Sequence, residues 1–176
     1  MERPPGFSLP ELMFSMAIVA GLVGWGVPAF RDLERNAART SEVNLFLQAV
    51  YLARSEAIKR NGVVSLCPSL DGTHCAAGNP TWDGGWIVFV NSDHDVPAVR
   101  DAGEDLLHAY PTWDGGNVFA NRDTLSFRAF GQSGVTATFT FCDDRGSRDA
   151  RAVIISQSGR PRVSDRSSSG TPLSCA

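Results

Sequence analysis

The chain contains few of the features that mark an enzyme or a metal-binding protein. Its 176 residues include three histidines and four cysteines, yet no H-E-x-x-H motif, no G-x-S-x-G motif and no C-x-x-C pair is present. The familiar zinc sites and the motif-bearing hydrolases are therefore disfavoured. We predict no catalytic residues, no metal ion and no cofactor.

Charge of one sign does not dominate, and lysine is almost missing. The formal net charge of -3 gives the whole molecule no attraction to nucleic acid. Of the 16 basic residues only Lys59 is a lysine, and many of the arginines come after Cys142. Any affinity for a polyanion therefore has to come from a local group of arginines, whose guanidinium groups pair well with phosphate.

The stretch Leu12–Phe30 contains no ionisable residue. As an α-helix it would be roughly 28 Å long, which is close to the hydrocarbon thickness of a bilayer. Arg3 precedes the stretch and Arg31 follows it. We expect residues 7–31 to form a single membrane-spanning helix. Glu11 lies at its edge, where a carboxylate is costly unless it finds a partner.

The residues around Glu11 resemble the start of the type IV prepilins, with Gly6, then Phe7, then a glutamate at the fifth position from Phe7. The resemblance implies that residues 1–6 are a leader peptide, that prepilin peptidase cleaves between Gly6 and Phe7, and that Phe7 is N-methylated. It also implies that Glu11 pairs with the N-terminal amine of a neighbouring subunit, which would relieve the desolvation of both charges in lipid. The alternative is a plain signal anchor in which Glu11 is incidental.

The residues after the membrane segment predict more helix and then a sheet. Apolar residues recur every three or four positions in residues 32–61, and Asn61-Gly62 is a helix stop signal. Six short apolar runs between Gly, Asn, Asp and Pro clusters then predict antiparallel strands: 63–66, 86–90, 105–110, 124–128, 136–141 and 152–156. We expect an α+β fold in which the amphipathic half of the helix packs on a sheet domain, residues 62–176, with an irregular tail from Ser164.

The four cysteines predict disulfides formed in an oxidising compartment. Three connectivities are possible, and the sequence alone leaves the choice open. We favour Cys67–Cys75, which would close a short turn, and Cys142–Cys175, which would hold the C-terminal tail.

Several landmarks further along the chain narrow the resemblance. They are ARSEAIKRN at 53–61, LCPS at 66–69, WIVF at 86–89, DAGEDLL at 101–107 and ARAVIIS at 150–156. In this order they resemble the group of minor pilins that contains FimT, FimU and the H pseudopilin of type II secretion. The resemblance implies a type IV pilin-like fold, a single pass through the inner membrane, a periplasmic globular domain, and other pilins as partners in a filament that reaches the cell surface.

The segment 159–162, Gly-Arg-Pro-Arg, matches the Gly-Arg-x-Arg signature of FimT, the member of this group that binds DNA during natural transformation. The resemblance implies that Arg160 and Arg162 bind the phosphate backbone without sequence preference. Gly159 would permit the turn, and Arg166 would add a third contact. The motif has four residues and is weak as a signal by itself.

Two other arginines, Arg145 and Arg148, would join this contact if their loop lies nearby. The alternative interpretation is a solvated hairpin whose arginines only keep a sheet edge soluble. Four aspartates close in sequence would neutralise part of the charge: Asp143, Asp144, Asp149 and Asp165.

Two further groups of residues have structural interpretations that we favour. The oxygen-bearing side chains at 91–95 and 101–105 suit calcium, but the glycine and glutamate spacing of an EF-hand is missing, which favours a surface loop. Trp82, Trp86 and Trp113 lie beside apolar strands, which favours core or turn packing over base stacking.

The functional hypothesis is a minor pilin that joins a type IV pilus and binds DNA for uptake in natural transformation. One alternative is an H-type minor pseudopilin of a type II secretion system, which would need no basic segment. The other is a structural pilus-tip adaptor like FimU, which would lack affinity for DNA.

Overall fold

The computed structural model describes residue 6 and residues 8–78 and 81–175. Phe7, and with it the expected cleavage and methylation site, lies outside the described residues. The chain divides into two compact units, Met1–Ala37 and Ala38–Ala176.

The first unit contains the N-terminal part of α1, the helix Leu9–Arg60. Its apolar side chains, such as Phe14, Leu22 and Trp25, are exposed. Among the described residues, α1 is the one helix that is long and apolar enough to cross a membrane. Side chains of this kind are stable in lipid or against other helices rather than in water, as expected for a membrane anchor.

In the second unit α1 is amphipathic. Five of its side chains recur every three or four residues and are buried: Val43, Phe46, Val50, Ala53 and Ala57. The helix ends at Arg60 because Asn61 has a left-handed backbone conformation, with φ of 50°, and the N–H of Gly62 donates to the carbonyl of Ala57. The predicted stop signal is confirmed.

Eight strands follow the helix. They are β1 (Val64–Pro68), β2 (Trp86–Val90), β3 (Leu106–Tyr110), β4 (Asn117–Ala120), β5 (Leu125–Phe127), β6 (Ala137–Cys142), β7 (Arg151–Ile155) and β8 (Pro161–Ser164). They form two four-stranded antiparallel sheets, ordered β3-β2-β1-β5 and β4-β6-β7-β8, where the sequence had suggested one.

The six predicted strands are all present, with ends that differ by no more than two residues. The two strands that the sequence analysis missed, β4 and β8, have four residues each. β8 begins with Pro161, a residue that argues against a central strand but is tolerated as the first residue of an edge strand. β8 is indeed at an edge, paired only with β7 among the described strands.

The core lies between the helix and the two sheets. Phe46 is at its centre, with ring centroids 5.9 Å from Trp82, 5.4 Å from Trp86 and 4.4 Å from Phe139. Trp113 is also buried, so the three tryptophans pack in the core as predicted. None of them has a face available for stacking on a base.

Both disulfides have the pairing that we favoured, Cys67–Cys75 and Cys142–Cys175. The second one holds the tail against the sheet, since Leu173 is buried in a small cluster with Ala152 and Ile154 of β7. The tail beyond Ser164 is irregular apart from one bridge between Arg166 and Pro172.

Candidate nucleic-acid interface

The Gly-Arg-Pro-Arg segment forms the end of the tight turn between β7 and β8. The N–H of Ser156 donates to the carbonyl of Arg160 (3.1 Å), and the N–H of Gly159 donates to the carbonyl of Ser156 (2.8 Å). Gly159 has φ of 75°, and a Cβ on it would collide with the carbonyl oxygen of Gly131. Glycine is therefore the residue that this turn requires. The structure gives Gly159 a role in shaping the backbone.

Arg160 and Arg162 are both exposed. Arg162 lies opposite Ile154 in the β7–β8 ladder, and such cross-strand partners share one face of the sheet. That face is the one covered by the tail cluster rather than by α1. Within the described residues, neither guanidinium group donates a hydrogen bond or pairs with a carboxylate. Both charges are therefore available to a partner.

A second turn packs on the first and brings further arginines close to it. The hydroxyl of Ser133 donates to the carbonyl of Ser156 (2.9 Å), and the N–H of Gly134 donates to the carbonyl of Gln157 (3.3 Å). This second turn starts at Arg128, which is exposed. Arg128 and the Gly-Arg-Pro-Arg segment belong to two different loops, so no contiguous sequence motif predicts that they lie side by side.

The helix contributes another arginine to the same region. A Cβ on Gly131 would be 2.8 Å from Nε of Arg54, which places this side chain directly beside the second turn. The sequence analysis did not single out Arg54 or Arg128 for function. A periodicity argument could have found Arg54 only as a polar position on an amphipathic helix.

The acidic residues that were expected to neutralise Arg160 lie at the other end of β7. The carboxylate of Asp143 is buried between Arg39 (3.0 Å) and Arg145 (2.6 Å), and Arg145 is 4.0 Å from Asp149. The hydrogen bond from Arg145 lowers the pKa of Asp143, although burial opposes this effect. Desolvation lowers the pKa of Arg39.

This ion-pair group follows β6, whose residue Phe141 is opposite Arg151 at the start of β7. The length of β7, roughly 16 Å at ~3.3 Å per residue, separates it from the Arg160 turn. The condition set for Arg145 and Arg148, that their loop lies near Arg160, is therefore not met.

Arg166 is also at a distance from the turn. It follows Ser164, which is paired with Ala152 near the start of β7. Its guanidinium group donates to the carbonyl of Gly170 (3.1 Å) and so closes the turn of the tail. The structure packs the turn that carries Arg160 against the turn that starts at Arg128, beside which Arg54 lies, and it leaves Arg166 in the tail.

The candidate residues near the N-terminus are exposed. They are Gly6 and Glu11, and the backbone carbonyl of Glu11 accepts a hydrogen bond from the Ser15 hydroxyl (2.8 Å).

In the acidic loop, the Glu104 carboxylate accepts hydrogen bonds from the backbone N–H groups of Ser92 (2.6 Å) and Asp101 (3.1 Å). These hydrogen bonds stabilise the loop. No group of three or more acidic, histidine or cysteine side chains among the described residues is arranged to hold a metal ion.

Comparisons with known proteins agree with this architecture. The family model for GspH, described as type II transport protein GspH, matches residues 42–159, more than half of the chain. Crystal structures of the type IV minor pilin FimU from Pseudomonas aeruginosa superpose with TM-scores of 0.55 and 0.53 at 24% and 25% identity. These matches cover 84% and 80% of this chain and 99% and 98% of the FimU chains.

A weaker likeness is to the minor pseudopilin EpsH of the type 2 secretion system of Vibrio cholerae. Its TM-score is 0.49 at 13% identity, over 71% of this chain and 94% of that chain. Comparison with curated proteins gives no match. The extent of the family match and the fold together lead to one conclusion: the chain belongs to the GspH family and is a minor pilin or pseudopilin of the kind that includes FimT, FimU and GspH.

Proposed function

We propose that this protein is a minor pilin of a type IV pilus that binds DNA for uptake through Arg160 and Arg162. The observation that carries the proposal is the pair of exposed guanidinium groups, without a partner in the described residues, on the β7–β8 hairpin whose turn requires Gly159. Such groups bind phosphate oxygens without reading the bases. Binding is expected to be weak per subunit, independent of sequence and sensitive to salt, and several subunits in one filament would gain by avidity.

The proposal includes a path of assembly. Prepilin peptidase removes residues 1–6 and methylates Phe7, and Glu11 pairs with the N-terminal amine of a neighbouring pilin. Residues 7–31 anchor the chain in the inner membrane, and residues 32–176 lie in the periplasm until the filament takes the subunit to the surface. The apolar, exposed first part of α1 supports the anchoring step. The role is binding and assembly, without catalysis or cofactor.

The test of DNA binding uses the full chain in detergent micelles and a fluorescein-labelled DNA duplex, followed by anisotropy at several salt concentrations. The variant Arg160→Ala/Arg162→Ala is expected to weaken binding at least tenfold and to lower the slope of log affinity against log salt by about two. Arg151→Ala is the matched control, because Arg151 is an exposed arginine at the opposite end of β7. Wild-type protein without affinity for DNA at low salt would refute the proposal.

A second candidate function is that of an H-type minor pseudopilin in a type II secretion system. The description of the matching family as a type II transport protein favours it. Neighbouring genes separate the two: genes for other minor pilins favour the pilus, and genes for a secretin and other pseudopilins favour secretion. A structural adaptor like FimU would share the pilus genes but lack affinity for DNA.

A further inference from the structure

A pocket lined by two arginines lies beside β5, outside the motifs that the sequence analysis singled out. It has a volume of about 370 Å³, and its lining includes Val96, Pro97, Arg122, Ser126, Arg128 and Ser133. The volume is in the range of sites that hold small molecules or single groups of a larger ligand.

The backbone of Arg122 and of Arg128 is fixed by hydrogen bonds to neighbouring residues. The carbonyl of Arg122 accepts a hydrogen bond from the indole N–H of buried Trp82 (3.1 Å), and its own Nε donates to the carbonyl of Thr136 (3.3 Å). The N–H of Arg128 donates to the carbonyl of Gln132 (3.0 Å). Among the described residues, the guanidinium group of Arg128 and the terminal nitrogens of Arg122 have no hydrogen-bond or ion-pair partner. The pocket therefore offers two cationic groups on a rigid frame.

One wall of the pocket is joined to the turn that carries Arg160. Ser133 belongs to the lining, and its hydroxyl donates to the carbonyl of Ser156 at the start of that turn. The adjacent Gly134 N–H donates to the carbonyl of Gln157. A ligand that contacts Arg160 is thus close to the pocket. This continuity favours a polyanion that passes over both sites.

Part of the lining is apolar. Val96 is 88% exposed and lines the pocket together with Pro97. A lining that combines two arginines with apolar side chains suits a group that has a phosphate at one end and a flat, weakly polar ring at the other. A nucleotide has this composition.

We infer that the pocket holds one nucleotide of single-stranded DNA, with its phosphate at Arg122 and Arg128 and its base against Val96 and Pro97. This inference rests on the proposed function and adds to it a preference for single-stranded over double-stranded DNA. A base in a duplex is stacked and cannot reach the apolar part of the lining, whereas phosphate contacts at Arg160 and Arg162 serve both forms of DNA. The protein is therefore expected to bind single strands more tightly than duplexes.

The test compares a labelled dT oligonucleotide with a duplex of the same length, at one salt concentration, using the full chain in detergent micelles. Arg122→Ala/Arg128→Ala is expected to weaken single-strand binding about tenfold and duplex binding by no more than about threefold. Arg160→Ala/Arg162→Ala should weaken both to a similar extent, and Arg151→Ala should change neither. An Arg122→Ala/Arg128→Ala protein that binds single strands as the wild type does, or loses both forms equally, would overturn the inference while leaving the proposed function intact.

Asp123 provides a second variant that does not depend on the stability of the first. It contributes a carboxylate to the lining, close to where the phosphate would lie. Asp123→Asn is expected to tighten single-strand binding about twofold to threefold, because it removes a like-charge repulsion. Unchanged or weaker binding would contradict the inference.

An acidic peptide provides a further comparison. If its binding requires Arg122 and Arg128 while the binding of single strands does not, the pocket is a site for protein, and the inference is overturned. Wild-type protein with no affinity for either DNA form would remove the proposed function and this inference together.

Discussion

At the scale of single residues, Glu42 is a buried acid in the helical part of the core. Its side-chain Oε1 has no hydrogen-bond partner in the described structure, and burial raises its pKa from 4.5 to about 7. Between these two values the unfolded chain loses the proton while the folded chain keeps it. The folded state then binds more protons, so the free energy of unfolding falls as the pH rises through this range and is constant above it.

Glu42→Gln is therefore expected to flatten the dependence of stability on pH between about 4.5 and 7. At pH 8 the variant should be more stable than the wild type by up to about 3 kcal/mol, since it avoids the cost of an ionised buried carboxylate. Thermal unfolding of both proteins in detergent at several pH values measures this. Glu56→Gln is the control of opposite sign, because hydrogen bonds from Arg60 and Lys59 lower the pKa of Glu56. Identical pH profiles for Glu42→Gln and wild type would contradict the account.

At the scale of elements, the β7–β8 hairpin depends on Gly159. Gly159→Ala is expected to destabilise the domain by roughly 1–3 kcal/mol and to weaken DNA binding although both arginines remain, because the new Cβ displaces the turn. Gly146→Ala is the matched control: Gly146 also has a positive φ, 80°, but no atom would lie within 4 Å of its Cβ. Urea unfolding and DNA anisotropy are measured on both. If Gly159→Ala and Gly146→Ala change stability and DNA binding equally, the contact of residue 159 with Gly131 does not determine either property, which would contradict the account.

The sequence predicted the elements whose signals are local. The helix stop at Asn61, the amphipathic face of α1 and six of the strands all follow from the periodicity and turn residues of their own segments. β8 was missed because PRVS is polar and starts with a proline, and such an edge strand is defined by its neighbour β7.

The candidate site was predicted only in part for a similar reason. The Gly-Arg-Pro-Arg motif is contiguous and could be found, whereas Arg54 and Arg128 reach the same region through the packing of a helix and a second turn. Arg145 is close to Arg162 in sequence but is held at the other end of β7 by Asp143. Sequence distance and spatial distance differ most where a strand lies in between.

At the scale of the whole molecule, the proposed function requires that processing and membrane insertion come before any contact with DNA. The N-terminal peptide of the protein isolated from cells is expected to begin at Phe7 and to carry one N-methyl group, which mass spectrometry detects. Glu11→Ala should be processed in the same way but fail to enter the filament, because the N-terminal amine of a neighbouring subunit then lacks its carboxylate. A mature chain that begins at Met1, or normal assembly of Glu11→Ala, would contradict this part of the account.

The most direct test of the central claim is DNA uptake by the source organism after deletion of this gene and complementation with variants. Wild type and Arg151→Ala are expected to restore both assembly of the protein into pili and uptake of labelled DNA. Arg160→Ala/Arg162→Ala should restore assembly alone, because its fold and its membrane helix are unchanged. Uptake that does not depend on the gene, or that persists at the wild-type level with Arg160→Ala/Arg162→Ala, would contradict the claim that this pilin binds incoming DNA through these two arginines.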